Sequence, residues 1–126
     1  MIWGLERLVG GYLTRSSRRE MKLPEVEYPR TVPSLAWVYI LQSADDCFYV
    51  GYSRDVGERL RKHRYGIGSK HTRDHRGARL VFVEGPLPKP VAVSREAQLK
   101  RWSRAKKEAL IRGDLESLHR LSRSRD

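Results

Sequence analysis

The stretch WVYILQSADDCFYVGY, residues 37–52, decides the fold. Its two ends, Trp37 to Leu41 and Cys47 to Tyr52, are rich in aromatic, β-branched and apolar residues, which is typical of buried strands. The polar cluster Ser43-Ala44-Asp45-Asp46 between them has the composition of a turn. Two strands joined by so short a turn are expected to form an antiparallel hairpin.

The segment that follows the hairpin is predicted to be a helix. Ser53-Arg54-Asp55 supplies N-cap candidates, and Val56, Leu60 and His63 fall on one helical stripe. Gly57 weakens this helix, because glycine has a low helix propensity.

The remaining elements predict an α/β fold. Residues 79–84 read as a third strand, residues 85–90 as a stiff Gly-Pro connector, and residues 91–102 as a helix. Ser103 and Gly113 are suited to cap a further helix, and Asp114 to start a last one. The order β-β-α-β-α-α predicts a small three-stranded antiparallel or mixed sheet flanked by helices.

The chain divides into three parts by composition. Residues 1–35 read as a basic N-terminal extension and linker, which contains the basic run Arg15 to Arg19 and three prolines. Residues 36–113 form the expected folded domain, and residues 114–126 form a C-terminal helix with a basic tail. The sequence leaves open whether translation starts at Met1 or at Met21.

The charge balance points to an anionic partner. The chain has 26 Lys and Arg against 15 Asp and Glu, so its formal net charge is +11 and its pI is about 10.3. Such a surplus attracts polyanions, with nucleic acid as the first candidate and an anionic membrane surface as the second. The alternative is a solvated basic surface with no specific partner.

The cysteine count and the hydropathy exclude several classes of protein. Cys47 is the single cysteine, so the chain has no internal disulfide and no multi-cysteine zinc site. No apolar run is long enough to span a bilayer, and residues 1–13 read poorly as a signal peptide. We therefore expect a soluble cytoplasmic protein. Of the two candidate partners, the membrane surface is not expected, because no long amphipathic basic helix stands out in the sequence.

Two tyrosines on the hairpin are the first candidates for chemistry. Tyr39 and Tyr49 lie ten residues apart, one on each predicted strand. The hairpin brings them together if both side chains project to the same face, which depends on a register that the sequence does not fix. The alternative is two aromatic residues that pack in the core.

Three further residues have side chains that can bind an anion, transfer a proton or hold a metal ion. Arg59 and His63 are four residues apart and share one helical face, so a guanidinium for phosphate oxygens would lie beside an acid–base group. Glu96 offers an oxygen ligand of the kind that Mg²⁺ prefers. The alternatives are solvated or partly buried side chains, with Glu96 in an ion pair with Lys100 four residues on.

The order of these residues resembles a known family. Tyr39, Tyr49-Val50-Gly51, the Arg59-to-His63 pair and the distal Glu96 are similar to the functional set of the GIY-YIG endonucleases. The similarity covers residues 37 to about 111. The small single-domain bacterial branch has segments like Gly66-Ile67-Gly68-Ser69-Lys70-His71-Thr72-Arg73 and Trp102-Ser103-Arg104. Trp37 stands where the first motif usually has glycine, and Tyr52 stands where some relatives have lysine.

The resemblance implies a metal-dependent endonuclease that hydrolyses phosphodiester bonds of DNA, structure-directed or weakly specific, as in repair. It implies Mg²⁺ or Mn²⁺ as the cofactor, bound by Glu96. The catalytic residues that it implies are Tyr39, Tyr49, Arg59, His63 and Glu96. The residues that it places against nucleic acid are Gly51, Lys70, His71, Thr72, Arg73, Lys100 and Arg104, with Gly51 also allowing a sharp turn of the chain.

Several alternatives remain at the level of sequence. RNA is an alternative substrate to DNA, and either tyrosine could be the base. A nucleic-acid binding module with the same fold and little catalysis is the second function, and a ribosome- or RNA-associated basic protein is the third. Oligomeric state is open.

Overall fold

The structure is a computed structural model that describes residues 23–64, without the side chains of the last two, and residues 77–123. These ranges contain three strands and four helices, in an α/β arrangement. In chain order they are β1 (Leu35–Gln42), β2 (Phe48–Ser53), α1 (Val56–Arg64), β3 (Arg79–Pro88), α2 (Lys89–Lys100), α3 (Arg104–Arg112) and α4 (Leu115–Arg123).

The sheet is antiparallel throughout, with strand order β2-β1-β3. The predicted hairpin is confirmed, because β1 and β2 pair with Tyr39 opposite Gly51 and Leu41 opposite Tyr49. Residues that are directly opposite in an antiparallel pair project to the same face, as do residues two apart on one strand. Tyr39 and Tyr49 therefore share one face of the sheet, which the sequence left open.

Helices cover both faces of the sheet. On the face of Tyr39 and Leu41, the core includes Val56 and Leu60 of α1, the first two positions of the predicted helical stripe. On the opposite face, Ala36 and Val38 pack with Ala92 and Leu99 of α2, and Ile40 lies in a cluster against which Leu110 and Ile111 of α3 pack. The sheet is thus the middle layer of the domain.

The predicted connector over residues 85–90 is wrong. Strand β3 continues to Pro88, where Ala36 pairs with Leu87 and Leu35 with Pro88, and α2 begins at once at Lys89. Strand β3 is an edge strand, and prolines are tolerated there because the missing N–H need not serve a second neighbour. Pro90, in the first turn of α2, is likewise at a position where its missing N–H has no helical acceptor.

Helix boundaries follow the predicted caps. The Asp55 carboxylate accepts from the Glu58 N–H at 3.0 Å, and the Ser103 hydroxyl accepts from the Lys106 N–H at 3.2 Å. Gly113 ends α3 with φ of 72°, a left-handed conformation that glycine adopts without a side-chain penalty. Asp114 then caps α4 by accepting from the Ser117 N–H at 3.1 Å.

The segment 23–34 packs on the folded domain although it contains no helix or strand. Leu23 is buried. Its N–H donates to the Gln42 side-chain oxygen at 3.2 Å, and its carbonyl accepts from the Arg79 guanidinium at 2.7 Å. The Val26 N–H donates to the Leu80 carbonyl at 2.8 Å. This bond occupies part of the outer edge of β3, and so shields a strand edge that would otherwise be open to pairing.

Candidate functional site

The Tyr39 side chain lies across β2 at Gly51. A Cβ atom added to Gly51 would be 2.5 Å from the Tyr39 Oη and 2.7 Å from its Cζ, so only glycine leaves room for this ring. The backbone at Gly51 does not have the positive φ that requires glycine. The residue is therefore needed here for space, and the sharp turn expected from the sequence is not its reason.

Arg59 and Glu96 meet at one open cleft beside this tyrosine. The cleft has a volume of about 530 Å³ and lies where the end of β2 and the first turns of α1 face α2. Arg59 enters from α1 and Glu96 from α2. Helix α1 is positioned by Val56 and Leu60, and α2 by Ala92 and Leu99, all of which are buried in the core. Arg59 and Glu96 are therefore carried by helices that are anchored in the core.

Electrostatics connect Tyr39 to both residues. Burial raises the pKa of the Tyr39 hydroxyl, whose residue is only 3% exposed. The Arg59 guanidinium opposes that shift by its charge and by a hydrogen bond, and the Glu96 carboxylate reinforces it. Tyr39 is therefore protonated at neutral pH. The structure brings together three of the five residues that the sequence assigned to catalysis: Tyr39, Arg59 and Glu96.

Glu96 is partly shielded and has one basic partner. Its side chain is 18% exposed, and its carboxylate lies 3.3 Å from the Lys100 ammonium, the i+4 ion pair that the sequence offered as an alternative. The same carboxylate lines the cleft, so the ion pair and a site role are compatible. Among residues 23–62 and 77–123, no group of three or more His, Cys, Asp or Glu side chains is placed to hold a metal ion.

Tyr49 lies on the same face as Tyr39 but its hydroxyl belongs to a different neighbourhood. Its ring packs against the cluster that contains Tyr39. The pKa of its hydroxyl is raised to about 12, first by burial and then by the charges of Cys47 and Asp45 in the turn region. Tyr49 is therefore a packing neighbour of Tyr39, with its hydroxyl near the hairpin turn.

Arg104 is placed at the turn end of the sheet. Its guanidinium donates to the Asp46 carbonyl at 2.6 Å and to the Asp46 carboxylate at 2.7 Å, and it pairs with Glu108 at 3.0 Å. It also lies 4.0 Å from the centre of the Phe48 ring. Arg104 thus joins α3 to the hairpin, and the cleft lining does not include it.

The two residues that depart from the family pattern, Trp37 and Tyr52, make contacts within the fold. The Trp37 indole donates to the Arg30 carbonyl at 3.1 Å, which fastens the N-terminal segment to β1. Tyr52 packs partly buried against the core of α2 and also lines the cleft. Trp102 packs against the same core, and the Arg95 and Lys106 cations lie against its ring.

Five predicted residues cannot be compared with the structure. The backbone of His63 is in α1, but its side chain lies outside the described part of the chain. The basic segment Lys70, His71, Thr72 and Arg73 also lies outside the described residues.

The sequence did not single out three basic residues that line the cleft: Arg54, Lys62 and Lys89. Lys62 could have been found, because it follows Arg59 by three residues and so shares its helical face. Lys89 could not, because its position depends on where α2 begins. Asp55 and Glu58 line the cleft as well, at the N-terminus of α1.

Comparison with known proteins agrees with this geometry. Residues 35–109 match the GIY-YIG catalytic domain, more than half of the chain. The chain therefore belongs to the GIY-YIG family and has a nuclease-type fold. This match contains the hairpin, Arg59 and Glu96.

The relatives that share this region are small bacterial proteins. A UPF0213 protein of Staphylococcus aureus strain Mu3 is 40% identical over 76 residues, which are 60% of this chain and 93% of the relative. A UPF0213 protein of Streptococcus pneumoniae serotype 4 is 38% identical over 76 residues, 60% of this chain and 77% of the relative. No solved structure matches the chain. No helix within residues 23–64 and 77–123 has the length and apolarity to cross a membrane.

Proposed function

We propose that this protein is a metal-dependent endonuclease that hydrolyses phosphodiester bonds of DNA, with structure-directed or weak sequence specificity, as in repair, and that it works in the cytoplasm. The observation that carries the proposal is that Arg59 and Glu96 line one open cleft, and that the charges of both act on the nearby buried hydroxyl of Tyr39. The net charge of +11 supports a polyanionic substrate.

Arg59 and Tyr39 act on the phosphate and the attacking water. Hydrolysis forms a bond from water oxygen to phosphorus, breaks one P–O ester bond, and requires that the water lose a proton. The permanent charge of Arg59 binds nonbridging phosphate oxygens. Burial is the largest influence on the Tyr39 hydroxyl and raises its pKa, and the Arg59 guanidinium offsets this only in part. The protonated phenol is therefore proposed to relay the proton of the attacking water, by passing on its own proton as it takes up another. Tyr49 supports the Tyr39 ring by packing.

Glu96 is the residue proposed to hold the metal. One carboxylate fits Mg²⁺ or Mn²⁺, because such ions keep several waters and take further oxygen ligands from a substrate phosphate. A bound ion would supply positive charge to the phosphate and the leaving oxygen. The side chain is oriented to the cleft from a helix fixed in the core, and its ion-pair partner Lys100 is mostly exposed and can move away.

Roles are also proposed for the predicted residues whose side chains lie outside the described part of the chain. His63 follows Arg59 by one helical turn and is proposed to assist the leaving group. Lys70, His71, Thr72 and Arg73 are proposed to contact backbone phosphates.

A cleavage assay with matched variants tests the proposal. Supercoiled, branched and single-stranded DNA are incubated with the protein and Mg²⁺ or Mn²⁺. Arg59→Ala and Glu96→Gln should each lose about 100-fold or more of the cleavage rate, the usual effect of removing a group that stabilises the transition state. Tyr39→Phe, which keeps the ring and removes the hydroxyl, should also lose cleavage.

Two control variants test whether charge loss alone explains the effect. Arg112→Ala removes an exposed arginine on α3 that is not part of the cleft lining, and Glu116→Gln neutralises a carboxylate on α4. Both should cut DNA at the wild-type rate. Equal cleavage by Arg59→Ala, Glu96→Gln and the wild type would place the activity elsewhere. Salt-sensitive DNA binding without strand scission at any metal concentration would favour the binding module with little catalysis.

A further inference from the structure

The cleft carries basic residues that no catalytic role explains. Arg54 and Lys62 come from the α1 side, and Lys89 comes from the first residue of α2. With Arg59, they put four cationic side chains around a space that also contains three carboxylates. Cations therefore flank the proposed catalytic residues from both helices.

None of the three carboxylates of the cleft forms an ion pair with Arg54, Lys62 or Lys89. Asp55 accepts from the backbone at the start of α1, Glu58 pairs with Arg61 at 3.4 Å, and Glu96 pairs with Lys100 at 3.3 Å. Arg54, Lys62 and Lys89 form no ion pair with any residue of the described ranges. Their charge is thus available to an anionic ligand.

Other basic residues on the same helices are already engaged. On α2, Arg95 is bonded to Glu84 at 3.1 Å, and on α1, Arg61 is bonded to Glu58. Arg54, Lys62 and Lys89 therefore differ from Arg95 and Arg61, which already form ion pairs within the protein. A functional explanation for the difference is the binding of successive phosphates.

The size of the cleft limits what can enter. A volume of about 530 Å³ is within the range of sites for small molecules, roughly 300–1,000 Å³. A double helix, whose major groove alone is about 12 Å wide, cannot enter such a space as a duplex. One strand can enter, with its backbone between α1 and α2.

We propose that Arg54, Lys62 and Lys89 form a phosphate clamp that holds a single nucleic-acid strand on both sides of the phosphate bound by Arg59. Lys62 lies about 4.5 Å along the helix axis from Arg59 and on the same face, so the two can contact neighbouring phosphates. Lys89 contacts the strand from the opposite helix. The clamp rests on the proposed function, because it states in which form, a single strand, the substrate binds in the proposed nuclease cleft.

Salt dependence of binding tests the clamp without requiring cleavage. Fluorescence anisotropy of a labelled single-stranded DNA is measured with the full chain in EDTA at several salt concentrations. Each phosphate contact contributes about 0.7 to the slope of log K against log salt for a single strand. Lys62→Ala and Lys89→Ala should each lower the slope by about 0.7, and the double variant by about 1.4.

Matched controls separate the clamp from general basic charge. Arg112→Ala and Arg123→Ala each remove one exposed arginine outside the cleft lining, on α3 and α4. These two controls should leave the slope unchanged. Arg54→Ala, which removes a member of the clamp, should lower it. Equal slopes for cleft and control variants would overturn the clamp, as would tighter binding of blunt duplex than of the strand. An RNA strand of the same sequence tests whether the clamp distinguishes the sugar.

The two proposals fail separately. If the protein never cuts DNA but the clamp variants lower the slope, the clamp stands and the nuclease proposal fails. If the protein cuts DNA and the slopes do not differ between cleft and control variants, the nuclease proposal stands and the clamp fails.

Discussion

Replacing Gly51 with alanine should displace the proposed catalytic tyrosine. The new Cβ would lie 2.5 Å from the Tyr39 Oη and 2.7 Å from its Cζ, closer than nonbonded atoms can approach. The ring is 3% exposed, so it cannot swing freely into solvent. Over-packing of this kind costs about 1–3 kcal/mol of unfolding free energy, and each kcal/mol lowers the melting temperature of a domain this size by about 4–8 °C.

The displacement should also affect the reaction. Moving a catalytic group by about 1 Å can cost about 100-fold in rate. We therefore expect Gly51→Ala to remain folded by circular dichroism at 20 °C, to melt at a lower temperature and to lose most DNA cleavage. Thermal unfolding and the cleavage assay on supercoiled DNA measure the two effects.

Gly57→Ala is the matched control. Its Cβ would meet nothing closer than 3.6 Å, at the Asp55 carboxylate and the Tyr28 ring. Alanine in a helix is favoured over glycine by about 0.5–1 kcal/mol, so this variant should be more stable than the wild type and cleave DNA normally. If Gly51→Ala has wild-type stability and activity, the steric argument at Tyr39 is refuted.

Three further predictions test the surroundings of the site. Lys100→Met should raise the affinity of Glu96 for Mn²⁺ about two- to fivefold, since an exposed ion pair is worth about 0.5–1 kcal/mol. Electron paramagnetic resonance of free Mn²⁺ measures this, and unchanged affinity would contradict competition by the lysine. The Tyr49 phenol should titrate at about 12 in the difference absorbance between wild type and Tyr49→Phe. Because the unfolded tyrosine ionises first, its stabilising effect is present below pH 10 and is lost as pH rises towards 12; a midpoint near 10 would contradict burial. Arg104→Ala should lower unfolding free energy by about 1–2 kcal/mol, through loss of its bonds to Asp46, and leave the salt slope of DNA binding unchanged. A lower salt slope of DNA binding with unchanged unfolding free energy would indicate that Arg104 contacts nucleic acid, as predicted from the sequence.

The sequence by itself determined the local elements. Asp55, Ser103 and Gly113 cap the helices as predicted, because a cap is set by a side chain and the backbone within about three residues of it. The hairpin was predictable for the same reason, from two apolar runs and a polar turn. The ordered set of tyrosine, arginine and glutamate residues was also sufficient to indicate the family.

The strand register and the distant contacts could be decided only by the tertiary structure. It placed Tyr39 over Gly51 and gave the glycine a steric role that its local conformation does not suggest. It continued β3 to Pro88, because pairing with β1 outweighs the low strand propensity of proline at an edge.

The same contacts divided the basic residues by role. Arg104 and Lys62 each contribute one positive charge to the composition. Arg104 is bonded to Asp46, 58 residues away in sequence, while Lys62 lines the cleft. Sequence fixes which charges the chain has. Their availability depends on which carboxylates the fold brings beside them, since a charge already paired in the protein gains little from a phosphate.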